Sequence, residues 1–494
     1  MKLFTIGDSI SQGFMSGAAA RTDLCYSTIL ARSMGLIPGP RADSGIDYYY
    51  PEWKKGGIPI NVEHIMRRLH RRYGADIRGI DWVTILHHIN QVIDQSEDYY
   101  EREGGSATSK YHGNVPYFHN VSCFSFNIGD SWKVTPDLCR EHIDQCSQTD
   151  DDGWLSCANA ACYRSALKIL DPNLNGNFSQ LDWLTHHAES EGVENLILWL
   201  GSNNAVRTIL KLKIVETPNN PNRRPHQVDH LECCKHGWNL WHPDDFKEEY
   251  REFINRVHET MVHRNRAKEW NVFIGTIPYA TVAPILKGIG PKFSFGRKGT
   301  YFKFYTFVPF SESYALKRKL ILPFHRAMYI DDCIREYNRI IKQLVDEKNE
   351  QLTKDSGDSN GQNHYHIVDL CAAFSRIDWK RNNEKPVYRF PRYFSTIHPN
   401  VNTEFYHIGK DGRMDHGGIF GLDGLHPTAI GQGLIAGEFQ KVMKKAGVHF
   451  QSALDWKKIF ESDDLYQHPL PVMQDLYKHE LISEYMIKMV LSFF

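Results

Sequence analysis

The hydrophobic and polar positions divide the chain into short apolar runs and longer amphipathic segments. Four apolar runs are bounded by polar or small residues: 2–6, 194–200, 270–278 and 366–370. A strand that is apolar on both faces is typical of the interior of a parallel sheet. We therefore predict a buried strand at each of these four runs.

Amphipathic segments with helical spacing lie between these runs. They cover residues 181–191, 246–266, 331–348 and 429–446. In the second of them, apolar side chains recur every three or four positions, which places them on one face of a helix. The alternation of helices with strands predicts a central parallel sheet covered by helices on both faces, that is, an α/β sandwich.

Long stretches without clear periodicity separate these units. They lie at about residues 40–115, 130–175, 205–245, 280–325 and 375–420. Connections of this length are uncommon unless they carry function or fold into a small structure of their own. We therefore interpret them as insertions into one α/β domain, and we expect residues 447–494 to form a C-terminal helical extension.

Composition and charge narrow the classes of function. The 494 residues are 41% hydrophobic and 24% charged, which is typical of a folded protein large enough to bury a core. The formal net charge is −1, and this balance argues against a nucleic-acid partner, because a general nucleic-acid binder carries a basic surplus. No apolar run reaches the roughly 18 residues of a membrane-spanning helix.

The start of the chain and its cysteines bear on the cellular compartment. Met1 and Lys2 lead directly into the first predicted strand, without the apolar stretch of a secretory signal. We therefore expect a cytoplasmic protein, with secretion after loss of a leader as the alternative. Ten cysteines are compatible with reduced thiols, although four of them between residues 139 and 162 are close enough in sequence to allow disulfides.

Three short polar motifs lie at the edges of predicted strands and helices. Residues 7–9 (GDS) follow the first strand, and residues 201–204 (GSNN) follow the second. Residues 423–427 (DGLHP) precede the last helix. Open α/β sheets place their functional sites at the carboxyl ends of the strands, so we expect these motifs to meet at one site.

The motifs contain the groups that acyl transfer requires. A serine hydroxyl needs a base within hydrogen-bonding reach, and a histidine serves because its ordinary pKa is near neutral. A carboxylate orients the imidazole, and further donors stabilise the developing oxyanion. Ser9, His426, Asp423 and Asn203 supply one group of each kind. An aspartate three positions before a histidine can curl round to the same imidazole.

Taken in order, the three motifs resemble those of the SGNH, or GDSL-type, hydrolase family. The resemblance implies a three-layer α/β/α sandwich with a central parallel sheet, stretched by insertions over residues 1–446, and a triad that needs neither metal nor cofactor. Position by position, Ser9 would be the nucleophile, His426 the base and Asp423 its orienting acid. The side chain of Asn203 and the backbone N–H of Ser9 would form the oxyanion hole.

The chain departs from the family pattern at one further oxyanion donor. In the family, a glycine of a second motif normally donates its backbone N–H. The best match here is the stretch 120–129, in which Ser125 occupies the glycine position by its offset from Asn120. A backbone N–H does not require glycine, so Ser125 is the expected donor, with Gly129 as the alternative.

These residues favour hydrolysis of an ester through an acyl-enzyme. The expected substrate is a small-molecule ester, a lipid ester or an acylated carbohydrate. Three alternatives stay open at this stage. One is an acyltransferase that uses the same triad, and another is a non-catalytic binding module on the same scaffold. The third is a metal-dependent enzyme that uses some of the 25 histidines.

Other features have less specific interpretations. Residues 230–236 contain histidine and cysteine but lack the paired spacing of a structural zinc site. Four arginines within residues 67–72 are interpreted as a solvated basic face of a helix, with a patch for an anionic substrate or a membrane surface as the alternative. The aromatic-rich stretches 48–53 and 301–307 either wall a substrate pocket or form the cores of the insertions.

Overall fold

The structure is a computed structural model of the 494-residue chain. It describes residues 1–37, 47–74, 81–113, 115–147, 153–356, 363–472 and 480–491. Parts of the predicted insertions (40–46, 75–80, 114 and 148–152) and of the predicted C-terminal extension (473–479 and 492–494) lie outside the described residues.

The strands of the described residues fall into four sheets, and their bounds are as follows. They are Phe4–Gly7 (β1), Phe14–Met15 (β2), Ala18–Ala19 (β3), Ile58–Pro59 (β4), Asn195–Trp199 (β5), Asn271–Gly275 (β6), Leu286–Ser294 (β7), Thr300–Phe307 (β8), Leu322–Pro323 (β9), His364–Val368 (β10), His407–Ile408 (β11) and Met414–His416 (β12).

The helices include all four that the periodicity predicts. They are Ser9–Gln12 (α1), Tyr26–Ser33 (α2), Val62–Tyr73 (α3), Asp81–Glu101 (α4), Asp130–Lys133 (α5), Pro136–Ser147 (α6), Ala161–Leu170 (α7), Gln180–Ser190 (α8), Arg207–Lys211 (α9), His230–His236 (α10), Pro243–Glu259 (α11), Glu312–Arg318 (α12), Phe324–Ser356 (α13), Leu370–Ile377 (α14), Ala429–Lys445 (α15), Trp456–Glu461 (α16), Asp464–Gln467 (α17) and Glu480–Leu491 (α18).

The central sheet is parallel and has the order β1-β5-β6-β10. Its four strands are the four apolar runs of the sequence, each within a few residues of the predicted position. The register pairs Phe4 with Leu196 and Leu196 with Val272. The prediction of a central parallel sheet flanked by helices is therefore confirmed.

A short extended segment, residues 119–123, continues this sheet on the outer edge of β1. The N–H of Val121 donates to the carbonyl of Thr5 at 3.0 Å, and the N–H of Cys123 donates to that of Gly7 at 3.2 Å. Strand β1 therefore has a neighbour on each side: residues 119–123, which come next along the chain, lie on one side, and β5 lies on the other. A reversal of strand order at one strand is the switch point at which open α/β sheets bind ligands.

Both faces of the sheet are buried in apolar cores. Phe4, Ile6 and Leu198 belong to one core, and Ile197 and Trp199 belong to the other, because successive side chains of a strand point to opposite faces. Helices α8, α11 and α13 pack into the first core, and α2, α14 and α15 pack into the second. The architecture is a parallel sheet between two helical layers, as the α/β sandwich prediction requires.

The predicted insertions contain secondary structure of their own. Residues 286–323 form a small antiparallel sheet, β7-β8-β9, whose buried tyrosines, Tyr301 and Tyr305, belong to the first core. Residues 407–416 form a hairpin of β11 and β12. The division into a domain of 1–446 and an extension of 447–494 stays a prediction.

The structure bears on the predictions about disulfides and about membrane-spanning helices. All ten cysteines lie among the described residues, and none of them forms a disulfide, so the pairing that the 139–162 spacing allowed does not occur. None of the described helices combines the length and the apolar character that crossing a bilayer requires.

Candidate active site

The nucleophile candidate lies at the turn that follows β1. Asp8 caps helix α1 by accepting a hydrogen bond from the N–H of Ile10 at 3.2 Å, and Ser9 is the first residue of the helix. The first N–H groups of a helix have no partner within it, so the N–H of Ser9 is available to a ligand. A side chain at Gly7 would come within 2.3 Å of the Ser11 Oγ, so this tight strand-to-helix turn requires glycine.

Ser9, His426 and Asp423 form a continuous hydrogen-bonded chain. The Nε2 of His426 lies 2.9 Å from the Oγ of Ser9, and its Nδ1 lies 2.7 Å from the Oδ2 of Asp423. All three side chains are almost fully buried, with His426 only 2% exposed. The structure thus brings together three residues from opposite ends of the sequence, in the arrangement that acyl transfer to a serine requires.

The local turn at residues 423–426 explains how one aspartate reaches the histidine three positions later. The Oδ1 of Asp423 accepts hydrogen bonds from the N–H groups of Leu425 and His426, both at 2.9 Å, which closes the turn around the carboxylate. Burial tends to raise the pKa of the Asp423 carboxyl, but the imidazole and these N–H donors outweigh it, so the pKa lies below its ordinary value. The carboxylate is therefore held in its charged form.

Asn203 follows β5, the sheet neighbour of β1, on a short 3₁₀ turn that spans Ser202–Asn204. Its Nδ2 donates to the carbonyl of Phe126 at 2.7 Å, and the side chain is 5% exposed. An amide NH₂ has two donors, so one N–H stays available after this contact. The carbonyl of Phe126 fixes the orientation of the amide.

Ser125 lies in the loop that Asn203 contacts. Its φ of 70° is in the left-handed region that favours glycine, which is the residue type that the family resemblance places here. The guanidinium of Arg207 donates to the carbonyl and to the Oγ of Ser125 at 2.8 and 2.6 Å, and so holds this conformation. The N–H of Phe124 donates to the Oε1 of Gln12, which ties the loop to the nucleophile helix.

Gly129, the alternative donor, lies at the start of helix α5. A Cβ at this position would be 2.5 Å from the Oε1 of Glu249 and 3.2 Å from the Nζ of Lys133. Gly129 therefore packs against these two side chains, whereas Ser125 belongs to the loop tied to Gln12 and Asn203. The contacts favour Ser125 over Gly129 as the second backbone donor.

An apolar cavity of about 70 Å³ is lined by sequence neighbours of Ser9, Asn203 and His426, but not by these three residues themselves. Its lining includes Ile10 beside the nucleophile, Ser202 beside Asn203, and Leu425 and Pro427 on either side of the histidine. A single water needs roughly 10–15 Å³, and ligand pockets usually exceed about 300 Å³, so this cavity matches a group of only a few atoms.

A larger cavity, of about 460 Å³, is separate from the three motifs. Its walls include Tyr48, Tyr50 and Trp53 from the aromatic-rich stretch 48–53, together with Lys168, but none of the triad residues. This stretch thus lines a cavity, as one interpretation of it expects. The other aromatic stretch, 301–307, is strand β8, and its residues Tyr301, Tyr305 and Phe307 are buried in the core.

Two neighbours of the triad carry no signal of their own in the sequence. The ring of Phe14 packs against the imidazole of His426 with a centroid distance of 4.5 Å and a tilt of 50°, and so contributes to the burial of the base. Burial raises the pKa of the Asp8 carboxyl to about 7, despite the N–H of Ile10 and the nearby His426, which lower it. The GDS motif points to Asp8 only as a residue beside the nucleophile.

In the segment 230–236 and in the arginine-rich segment 67–72, one side chain each has a partner within the fold. The Nδ1 of His230 is 2.7 Å from a carboxylate oxygen of Asp130, and its Nε2 is 2.8 Å from the hydroxyl of Tyr163. Arg67, in the basic segment of helix α3, pairs with Glu63 one turn earlier. These contacts explain both residues as parts of the fold.

Comparisons of the chain with protein-family models, with curated proteins and with solved structures gave no match. The geometry of the site is therefore the basis for a functional proposal.

Proposed function

We propose that this protein is a serine ester hydrolase. Ser9 attacks the acyl carbonyl while His426 takes the hydroxyl proton, and His426 then returns that proton to the leaving alcohol. The resulting acyl-enzyme is cleaved by a water that His426 activates. Asp423 keeps the imidazole in one tautomer and stabilises its charged form. The observation that carries this proposal is the chain of hydrogen bonds, of 2.9 and 2.7 Å, that joins the three side chains.

The oxyanion donors of the proposed reaction are the backbone N–H groups of Ser9 and Ser125 and the amide of Asn203. The loop of Ser125 contacts both the nucleophile helix and Asn203, which supports this grouping. Each such donor contributes about 3–4 kcal/mol to the stability of the transition state in enzymes of this type. Because the donors are held by the fold, little reorganisation is needed when the oxyanion forms.

The size of the adjoining cavity supports a short acyl group. At about 70 Å³ and with apolar walls such as Ile10, Val206 and Leu425, the cavity accepts an acyl chain of a few carbons. The alcohol part of the ester would extend away from this cavity. A small acyl ester or an acylated carbohydrate is therefore favoured over a long-chain lipid ester.

The test combines covalent labelling with a substrate panel. A fluorophosphonate should label the purified protein, and mass spectrometry should place the label on Ser9. The panel contains p-nitrophenyl esters of increasing chain length, acetylated sugars and phospholipids. Ser9→Ala should lose labelling and turnover, whereas Ser452→Ala, which changes an exposed serine, should lose neither.

The outcomes separate the alternatives. Full esterase activity in a folded Ser9→Ala variant would exclude the mechanism. A folded wild-type protein that is neither labelled nor active would favour a binding module. Labelling of Ser9 with transfer of the acyl group to an added alcohol, in preference to water, would favour an acyltransferase.

A further inference from the structure

A second group of residues with ligating side chains lies on the hairpin of β11 and β12. His407, Asp415 and His416 each offer one ligand atom, and these atoms lie within 4.8 Å of one another. Among the described residues, this is the one cluster of three or more histidine, cysteine or acidic side chains with such a spacing. It contains none of the triad residues.

A bulge in the hairpin explains why three side chains converge. His407 pairs with His416 across the hairpin, but Ile408 pairs with Met414. Asp415 is therefore an extra residue that lies opposite no residue of β11. A bulge of this kind turns the extra side chain away from strict alternation. Ile408 and Met414 are buried, at 3% and 2% exposed, so the opposite face carries the two histidines and the aspartate outward.

A further carboxylate, that of Glu404, lies beside the cluster. The Oε2 of Glu404 is 3.1 Å from the Nδ1 of His416, and the Oδ1 of Asp415 is 2.6 Å from the Nδ1 of His407. Each imidazole thus has one ring nitrogen next to a carboxylate and the other available. Histidines that bind metals are commonly oriented by a carboxylate in this way, and the carboxylate can also bind the ion directly.

We propose that His407, His416 and Asp415 bind a divalent transition-metal ion, with Zn²⁺ as the best match, and that Glu404 orients the imidazole of His416. Imidazole and carboxylate are ligands that Zn²⁺ accepts in four-coordinate sites, in which a water can take the fourth position. The carboxylates of Asp415 and Glu404 also place two negative charges beside the dication. Ligand atoms around one zinc lie about 3.4 Å apart, which these half-exposed side chains reach by small rotations.

The position of the hairpin gives the ion a structural role. After β12 ends at His416, the chain passes through Gly417 and Gly418 into the segment that carries Asp423 and His426. The carbonyl of Gly418 accepts a hydrogen bond from the Oγ1 of Thr428 at 2.8 Å, which closes this segment into a loop. An ion that joins the two strands of the hairpin would stabilise the base of this loop.

The test uses the full chain after treatment with a chelator. Isothermal titration with Zn²⁺ alone should give one ion per chain, and Mg²⁺ in excess should not compete. His407→Ala and His416→Ala should each weaken binding by at least about 100-fold, and Glu404→Gln by about 10- to 100-fold. The matched control is His449→Ala, which removes an exposed histidine elsewhere and should leave binding unchanged.

Thermal unfolding provides a second readout. Zn²⁺ should raise the unfolding temperature of the wild type and of His449→Ala but not of the double variant His407→Ala/His416→Ala. Without zinc, the wild type and the double variant should unfold at the same temperature, because the substituted side chains are exposed. Zinc binding of unchanged affinity in the double variant, or no binding by the wild type, would overturn the proposal.

Discussion

The backbone N–H of Gly17 donates a 2.8 Å hydrogen bond to the Oδ2 of Asp423, the oxygen that also accepts from His426. The loop after the nucleophile helix therefore helps to hold the acid of the triad, although the two residues are 406 positions apart. With the two bonds to Oδ1 within its own turn, the carboxylate accepts four hydrogen bonds. An amide cannot replace it, because one of its two ends is a donor.

Asp423→Asn should therefore lower kcat for a short p-nitrophenyl ester by about 10³–10⁴-fold. In one orientation, the NH₂ group of the asparagine faces the N–H groups of Leu425 and His426. In the other it faces Nδ1 of the imidazole and favours the wrong tautomer. Circular dichroism should show a folded variant. A loss of less than tenfold would mean that Asp423 does not orient the base.

Asn203→Ala should lower kcat by about 10²–10³-fold with little change in KM, because the amide would act on the oxyanion and not on the bound ester. Phosphonylation of Ser9 should slow as well, since it also builds negative charge on an oxygen. If kcat/KM fell by the same factor because KM rose while kcat stayed unchanged, Asn203 would instead contribute to binding of the ester in its ground state.

The contact of Arg207 with Ser125 leads to a prediction about the second backbone donor. Ser125→Ala keeps the N–H and the left-handed φ, so activity should stay within about threefold of the wild type. Ser125→Gly should keep activity too. Glycine adopts a φ of 70° without strain, which should add about 1 kcal/mol to the free energy of unfolding and so offset the loss of the hydroxyl contact with Arg207. Urea unfolding and ester hydrolysis measure the two effects.

A strong loss of activity in Ser125→Ala would show that the hydroxyl, and not the N–H, has a role in the reaction. Ser131→Ala offers a comparison, because its hydroxyl donates to the carbonyl of Ile128 in the same region but lies outside the proposed oxyanion hole.

Local patterns of the sequence account for the sheet and for the residues that the structure brings together around Ser9. Strands β5 and β6 are visible as apolar runs because both of their faces are buried, and three short motifs mark Ser9, Asp423 and His426 as candidates. Such signals need only a few neighbouring residues, whereas the 2.9 Å contact between Ser9 and His426 joins residues 417 positions apart.

The remaining features depend on contacts between distant segments, which no local periodicity encodes. The segment 119–123 joins the edge of β1 through backbone hydrogen bonds and through Gln180, which donates to the carbonyls of Gly7 and Val121. Arg207 reaches Ser125 from 82 positions away. The convergence of His407 and Asp415 depends on a one-residue bulge, which an alternating pattern cannot indicate. Only the folded chain reveals such contacts.

The cavity beside the triad predicts a narrow preference for acyl chain length. Val206→Phe should fill part of the cavity and lower kcat/KM for a hexanoate ester relative to an acetate ester by about tenfold, since each methylene in a tight pocket contributes about 1–3 kcal/mol. Val387→Phe, at a side chain that is 67% exposed, should leave the ratio unchanged. An equal change in both variants would place the acyl group elsewhere.

The raised pKa of Asp8 predicts how stability depends on pH. Its carboxyl has a pKa of about 7 in the folded protein and 3.8 ordinarily, so between these values the folded state keeps a proton that the unfolded chain has released. The free energy of unfolding should therefore fall as pH rises from about 4 to about 7, by up to about 4 kcal/mol from this group. An asparagine side chain at this position would stay neutral and still accept the Ile10 N–H.

For this reason Asp8→Asn should be more stable than the wild type at pH 8 and similar to it at pH 4, where both side chains are neutral in the folded state. Urea unfolding at the two pH values measures the difference.

Asp8→Ala separates the effect of charge from that of capping, because it removes the buried charge but also the acceptor of the Ile10 N–H. Its free energy of unfolding at pH 8 should therefore be about 1 kcal/mol lower than that of Asp8→Asn. Equal destabilisation of Asp8→Asn at both pH values would show that the carboxylate is charged and stabilising in the fold, which contradicts a raised pKa.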